Sequence, residues 1–137
     1  MANDFEVGID IAVPPEAAWA LAGDPARVHE WFPAVTGCEV VGDERRATTA
    51  RGGELVERLS DIDPAGRSYA YSVIDGIPGL TSHRATIAVL PSAAGSRVVW
   101  RQTATSDVEG YDLERRLSGV MTQGLERLRE ILEAGGR

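Results

Sequence analysis

The chain has 137 residues, 43% hydrophobic and 26% charged, a composition typical of one globular domain spanning residues 1–137. Its net charge of −7, without any run of Lys and Arg, disfavours binding to nucleic acid or to an anionic membrane surface. No apolar stretch approaches the roughly 20 residues of a membrane-spanning helix. The N-terminal residues also lack the basic start and apolar run of a signal peptide. We therefore expect a cytoplasmic protein with no nucleic-acid partner and no membrane insertion.

The first elements are predicted to be one strand and two short helices. Alternate residues in 5–11 are apolar, which is the pattern of a half-buried strand. Pro15 suits the first turn of a helix that Gly23 ends. The Asp-Pro pair at 24–25 is typical of the N-cap and first turn of a second helix, predicted to reach about Phe32.

The middle of the chain is predicted to contain only strands. Gly, Asp and Pro recur between its apolar segments at intervals suited to antiparallel hairpins, and no helical pattern is long enough for a βαβ crossover. Gly52-Gly53 is interpreted as a two-residue hairpin turn. The predicted strands are 37–41, 46–51, 54–62, 67–75, 80–91 and 97–106.

The C-terminal segment is predicted to form one long amphipathic helix. Its apolar face recurs at spacings of three and four residues, and comprises Leu113, Leu117, Val120, Met121, Gly124, Leu125, Leu128 and Leu132. Ser106 and Glu109 have the spacing of a capping box, and Gly135-Gly136 is a stop signal. Gly119 and Gly124 each cost about 1 kcal/mol relative to Ala inside a helix. We therefore expect them to allow close approach to the sheet or to make space for a ligand.

The element order and four segments resemble one family. The segments are 24–35 (DPARVHEWFPAV), 57–63 (ERLSDID), 71–73 (YSV) with 76–78 (GIP), and 95–100 (GSRVVW). They are similar to the polyketide cyclase/dehydrase branch of the START-like, or SRPBCC, superfamily. The resemblance implies an α+β helix-grip fold, in which a curved antiparallel sheet of about seven strands surrounds the long C-terminal helix. Two short helices follow the first strand, and an apolar ligand pocket lies between sheet and helix.

Strand alternation in such a sheet predicts which residues face the pocket. The inward sets are Leu55, Glu57 and Leu59; Tyr69, Tyr71 and Val73; His83, Ala85, Ile87 and Val89; and Val98, Trp100, Gln102 and Ala104. A slip of one residue in any strand would replace its set with outward neighbours such as Arg84 or Arg101. The residues predicted to contact a ligand are Trp31, Phe32, Tyr69, Val73, Ile87, Trp100, Gln102, Leu117, Met121 and Gly124.

His83, Glu57 and Tyr71 are the candidate catalytic groups, and each also has a structural interpretation. A buried Glu57 needs a partner or a raised pKa, and Arg46 and Arg58 are the candidate partners. His83 suits an acid/base role or a hydrogen-bonded position in the wall. Tyr71 suits a ligand-facing donor or ordinary packing.

Two aromatic assignments also stay open. Trp31 and Phe32 suit packing that seats the long helix, or stacking on a ligand. Trp100 suits the core as well as a pocket wall.

The remaining motifs limit the possible chemistry. There is no GxSxG, P-loop or GxGxxG motif, and two His and one Cys lack the spacing of metal ligands, so neither a cofactor nor a metal is expected. We expect a hydrophobic small-molecule partner. The resemblance favours a polyketide cyclase, aromatase or dehydratase that uses cofactor-free acid/base catalysis. The alternative is a non-catalytic carrier or sensor of a lipid, quinone or aromatic metabolite. Relatives of this fold include dimers, so the chain is expected to be a monomer or a homodimer.

Overall fold

A computed structural model describes residues 2–135. The elements in chain order are β1 (Ala2–Ile11), α1 (Pro15–Ala22), a 3₁₀ helix (Pro25–Glu30), β2 (Val35–Val41), β3 (Glu44–Thr49), β4 (Glu54–Asp63), β5 (Ser68–Asp75), β6 (Leu80–Ser92), β7 (Gly95–Ser106) and α2 (Leu113–Glu133). None of the helices in this part of the chain is long and apolar enough to cross a membrane.

The seven strands form one curved antiparallel sheet in the order β1-β7-β6-β5-β4-β3-β2. Consecutive strands from β2 to β7 are therefore neighbours, as expected of a meander, and β1 completes the sheet beside β7. The long α2 and the two short helices after β1 complete a helix-grip fold, which confirms the predicted fold class.

Hydrogen bonds join the start of the long helix α2 to β1 and its end to the residue that follows β1. The backbone N–H of Leu113 donates to Oδ1 of Asn3 at 2.8 Å, and the N–H of Ala12 donates to Oε2 of Glu133 at 2.9 Å. The helix therefore runs alongside β1. Its buried face, with the spacing predicted from the sequence, comprises Leu113, Met121, Gly124, Leu125, Leu128 and Leu132.

Two aromatic residues that follow the 3₁₀ helix pack between α2 and the sheet. The rings of Trp31 and Phe32 meet Trp100 edge-on, with centroids 5.5 and 5.0 Å away. A Cβ atom at Gly124 would lie 2.9 Å from Cδ1 of Phe32 and 3.6 Å from the ring of Trp31. Gly124 thus allows close packing, but against the rings of Phe32 and Trp31 and not, as had been expected, against the sheet.

Several local predictions were wrong. The helix after Asp24 is present with Asp24 as its N-cap, as predicted, but it is a 3₁₀ helix that ends at Glu30 and not at about Phe32. The β3–β4 connection spans residues 50–53 instead of two glycines. The N-cap of α2 is Asp112, whose side chain accepts from the N–H of Arg115. Ser106 instead caps a turn, accepting from the N–H of Val108 at 3.0 Å.

The predictions made for the glycines at the end and in the middle of α2 also need correction. The helix ends at Glu133 and Gly135 has a positive φ of 84°, whereas Gly136 lies outside the described residues. Gly119 is exposed, and a Cβ there would meet no atom within 4 Å. It allows no close approach, and nothing in the structure explains its presence.

The two glycines of α2 give a matched pair of substitutions. Gly119→Ala should raise the free energy of unfolding by about 1 kcal/mol, because Ala favours the helix and meets no neighbour. Gly124→Ala should lower it by about 1 to 2 kcal/mol, because the added methyl group overpacks the ring of Phe32. Urea unfolding of both variants measures the difference, and equal stabilisation by the two would contradict the packing described for Gly124.

Candidate ligand-binding site

One open cavity of about 850 Å³ lies between the N-terminal half of α2 and the loops that face it. This volume is within the range of small-molecule sites. Its walls are formed by residues 32–35, 49–51 and 76–78, together with Leu55, Tyr111, Leu113, Arg116, Leu117, Val120 and Gln123. Most of these side chains are apolar. The cavity can therefore bury an apolar molecule at one end of the helix.

A buried ion pair occupies the concave face of the sheet deeper inside. Arg45 and Glu57 are directly paired residues of β3 and β4, and only 2% and 6% of their surfaces are exposed. Nε of Arg45 donates to Oε1 of Glu57 at 2.7 Å, and Nη1 donates to the carbonyl oxygen of Pro25 and to the hydroxyl of Tyr69. Burial acts to lower the pKa of Arg45, but Tyr69 and Glu57 hold it above its usual value. The guanidinium thus stays charged.

The predicted partners of Glu57 were wrong. The side chains of Arg46 and Arg58 are 49% and 55% exposed on the outer face of the sheet. Strand β3 begins at Glu44 instead of residue 46, so Arg45 belongs to the strand and shares the inward face with Ala47. If the predicted third strand had begun two residues earlier, at Glu44, strand alternation would have placed Arg45 on the inward face as a candidate partner of Glu57.

Tyr71 joins this ion pair to the aromatic core. The guanidinium of Arg45 lies 4.8 Å from the ring centroid of Tyr71, within the range of a cation–π contact. The Tyr71 hydroxyl accepts from Nε1 of Trp100 at 3.0 Å. Burial raises the pKa of Tyr71, so its phenol stays neutral.

His83 is held in one neutral tautomer by two hydrogen bonds. The N–H of Val73 donates to Nδ1 at 3.0 Å, which requires Nδ1 to be unprotonated. Nε2 then carries the proton and donates to Oε1 of Gln102 at 2.6 Å, and the Gln102 amide in turn donates to the sulfur of Met121. Burial lowers the pKa of His83 below its ordinary 6.5. Both ring nitrogens are therefore engaged within the protein.

The structure separates the predicted site residues into three groups. Phe32 and Leu117 line the cavity, and Val73 lines a smaller neighbouring cleft of about 340 Å³. Three buried hydrogen-bonded groups meet at the ring of Tyr71, which lies 4.8 Å from the Arg45 guanidinium and 5.8 Å from the ring of His83. Together they are termed the polar network, and its predicted site residues are Glu57, Tyr69, Tyr71, His83, Trp100, Gln102 and Met121. Trp31, Ile87 and Gly124 are buried in the core. Strand register was thus assigned correctly, because His83 and Gln102 are inward while Arg84 and Arg101 are exposed.

The cavity and the polar network are adjacent along two elements. Leu55 lines the cavity and lies two residues before Glu57 in β4. Leu117 lines it one helical turn before Met121, which contacts Gln102. The network therefore begins immediately beyond the apolar wall.

The family model described as polyketide cyclase / dehydrase and lipid transport matches residues 3–133. The chain belongs to this family. Membership confirms the resemblance stated above and supports a role in binding a hydrophobic ligand. No curated protein sequence matches the chain.

Solved structures share this fold over nearly their whole length. An uncharacterised protein from Bacillus thuringiensis has a TM-score of 0.86 and 24% identity, covering 95% of this chain and 98% of its own. A Thermobifida fusca protein has a TM-score of 0.76 and 27% identity, covering 94% and 92%. The Zhui aromatase/cyclase from Streptomyces sp. R1128 has a TM-score of 0.83 and 16% identity, covering 100% and 97%. The first and last of these likenesses, at 24% and 16% identity, concern the fold alone.

Glu57→Gln should lower the free energy of unfolding by about 3 to 5 kcal/mol, because it leaves the Arg45 guanidinium buried without a counter-charge. The matched control is Asp61→Asn, which removes the partner of Arg84 in a pair whose side chains are 67% and 51% exposed. That change should cost less than about 1 kcal/mol. Urea unfolding measures the free energy of unfolding of both variants. A similar small decrease in the two would show that the buried pair contributes no more to stability than the exposed pair.

His83 should make the fold less stable as the pH falls. Its pKa is lower folded than unfolded, so its contribution to stability is present above the unfolded pKa of about 6.5 and declines as the pH falls below it. The unfolding free energy should therefore decrease as the pH is lowered from about 7 through this range. His83→Gln should remove most of this loss. An unchanged pH dependence in His83→Gln would show that another group is responsible.

Proposed function

We propose that this protein binds an apolar small molecule in the 850 Å³ cavity and acts as a carrier or sensor of it. The observation that carries the proposal is an open, mainly apolar cavity whose described lining residues include none of the candidate catalytic groups His83, Glu57 and Tyr71. Apolar burial is sufficient to hold a guest in such a cavity. The family, whose description includes lipid transport, supports the same class of ligand.

The hydrogen bonds of His83 favour a structural role for this side chain. A general base needs a free lone pair within reach of the substrate. Nδ1 of His83 accepts from the backbone N–H of Val73 and Nε2 is bonded to Gln102, so neither ring nitrogen has a free lone pair. Glu57 uses Oε1 to accept from Arg45, and the Tyr71 hydroxyl accepts from Trp100. None of the three side chains is among the described residues that line the cavity. Catalysis by His83 would require rearrangement of the network.

A bulky side chain in the cavity should block binding. Val120 is a half-buried residue of α2 that lines the cavity, so the indole ring of Val120→Trp should fill part of the cavity. Thr122→Trp places the same ring on the exposed face of α2. Binding of the neutral apolar fluorophore N-phenyl-1-naphthylamine should weaken at least about tenfold in Val120→Trp, the scale expected when much of a buried contact is lost. Thr122→Trp should bind like the unmodified protein. Equal affinity in both variants would show that the probe binds elsewhere.

A second candidate function is cofactor-free cyclisation or dehydration of a polyketone. The observation that favours it is the position of the network, which gathers His83, Glu57, Tyr71 and Gln102 next to the apolar wall. In that role His83 would move a proton at a carbon beside a carbonyl group, and Tyr71 and Gln102 would polarise carbonyl oxygens.

The catalytic candidate predicts that a short linear β-polyketone is converted to a cyclic product. His83→Ala should lower turnover at least about a hundredfold while retaining binding, as expected for loss of a general acid/base. Glu57→Gln is assayed in parallel at a temperature where it stays folded. Turnover that is absent, or indifferent to both substitutions, would leave the carrier function as the supported one.

A further inference from the structure

The charged side chains in the cavity wall all have one sign. Among the described residues that line it, Arg51 and Arg116 are charged and none is acidic. The whole chain has 21 acidic and 14 basic residues, so an average surface of this protein would present more negative than positive groups. The charge of the cavity wall is therefore positive, whereas the net charge of the whole chain is negative.

Both arginines are available to a ligand. Each is exposed, and neither forms an ion pair with any residue between 2 and 135. The guanidinium of Arg116 lies 5.0 Å from the ring centroid of Tyr111, another cavity residue, so a cation–π contact orients it along the wall.

The acidic side chains near this end of the molecule have other partners or lie outside the cavity wall. Asp112 caps α2 by accepting from the N–H of Arg115, and Glu54 pairs with Arg46 at 3.5 Å. Asp75 lines the smaller neighbouring cleft. The positive charge at the cavity is consequently not neutralised within its own wall.

We propose that the ligand is an amphiphilic carboxylic acid whose hydrocarbon body occupies the cavity and whose carboxylate lies at the solvent-facing side with Arg51 and Arg116. This inference rests on the proposed function and adds to it the ligand's chemical class and orientation. Apolar contacts supply most of the affinity. The two guanidinium groups, which suit carboxylate recognition, select the charged head group and orient the ligand with its carboxylate toward solvent.

The test compares three ligands of equal chain length by calorimetric titration: decanoate, decan-1-ol and decyltrimethylammonium. Decanoate should bind about fivefold more tightly than the alcohol, a modest ratio because exposed ion pairs are weak, and the cation should bind most weakly. Raising the salt concentration to about 0.5 M should reduce the preference. In the double variant Arg51→Gln/Arg116→Gln the ratio of decanoate to alcohol affinity should fall to about one.

The matched control is Arg115→Gln, which removes an exposed arginine that neighbours Arg116 on α2 but does not line the cavity. It should retain the preference for decanoate. Equal binding of decanoate and alcohol to the unmodified protein, or a preference that survives in the double variant, would overturn this inference and leave the proposed function intact. If none of the three ligands binds but N-phenyl-1-naphthylamine does, this inference fails alone, and if the fluorophore does not bind either, the proposed function fails with it.

Discussion

The buried pair of Arg45 and Glu57 is the constraint on which the rest of the interior depends. Two charges on the concave face of the sheet carry a large desolvation cost, which is offset only if each has good partners. The guanidinium therefore contacts the carboxylate, the carbonyl oxygen of Pro25, the hydroxyl of Tyr69 and the ring of Tyr71. These contacts connect β3, β4, β5 and the 3₁₀ helix around a single cation.

This arrangement leaves a limited part of the sheet and helix free for a ligand. The Arg45 side chain fills space under the strands, Trp31 and Phe32 fill the space beside Gly124, and His83 is bonded to Gln102. The open volume lies instead near the first half of α2 and the loops at 49–51 and 76–78. The same fold therefore offers an apolar chamber at its end and a closed polar network beneath it.

The alternation of apolar and polar residues along the sequence predicted which strand side chains face the interior. Inward placement of Glu57, His83 and Gln102 followed from strand register, because one face of each strand is buried and a slip would expose it. The partner of Glu57 was missed because Arg45 stands at a strand boundary, which a hydrophobic pattern defines poorly. Most of the cavity wall was missed because loop residues such as Arg51 have no periodicity, and their position in the same cavity wall as Arg116 depends on tertiary packing.

A bound apolar molecule should occupy the loop-side cavity while the ion pair of Arg45 and Glu57 stays intact. Methyl NMR of the protein with bound N-phenyl-1-naphthylamine tests this through intermolecular NOEs to assigned methyl groups. We expect NOEs to Leu55, Leu117 and Val120, which line the cavity, and an unchanged chemical shift for the Arg45 Nε–H. NOEs to the core residues Ile87 and Val89, accompanied by a large shift of the Arg45 signal, would show that the molecule binds in the interior and not in the loop-side cavity.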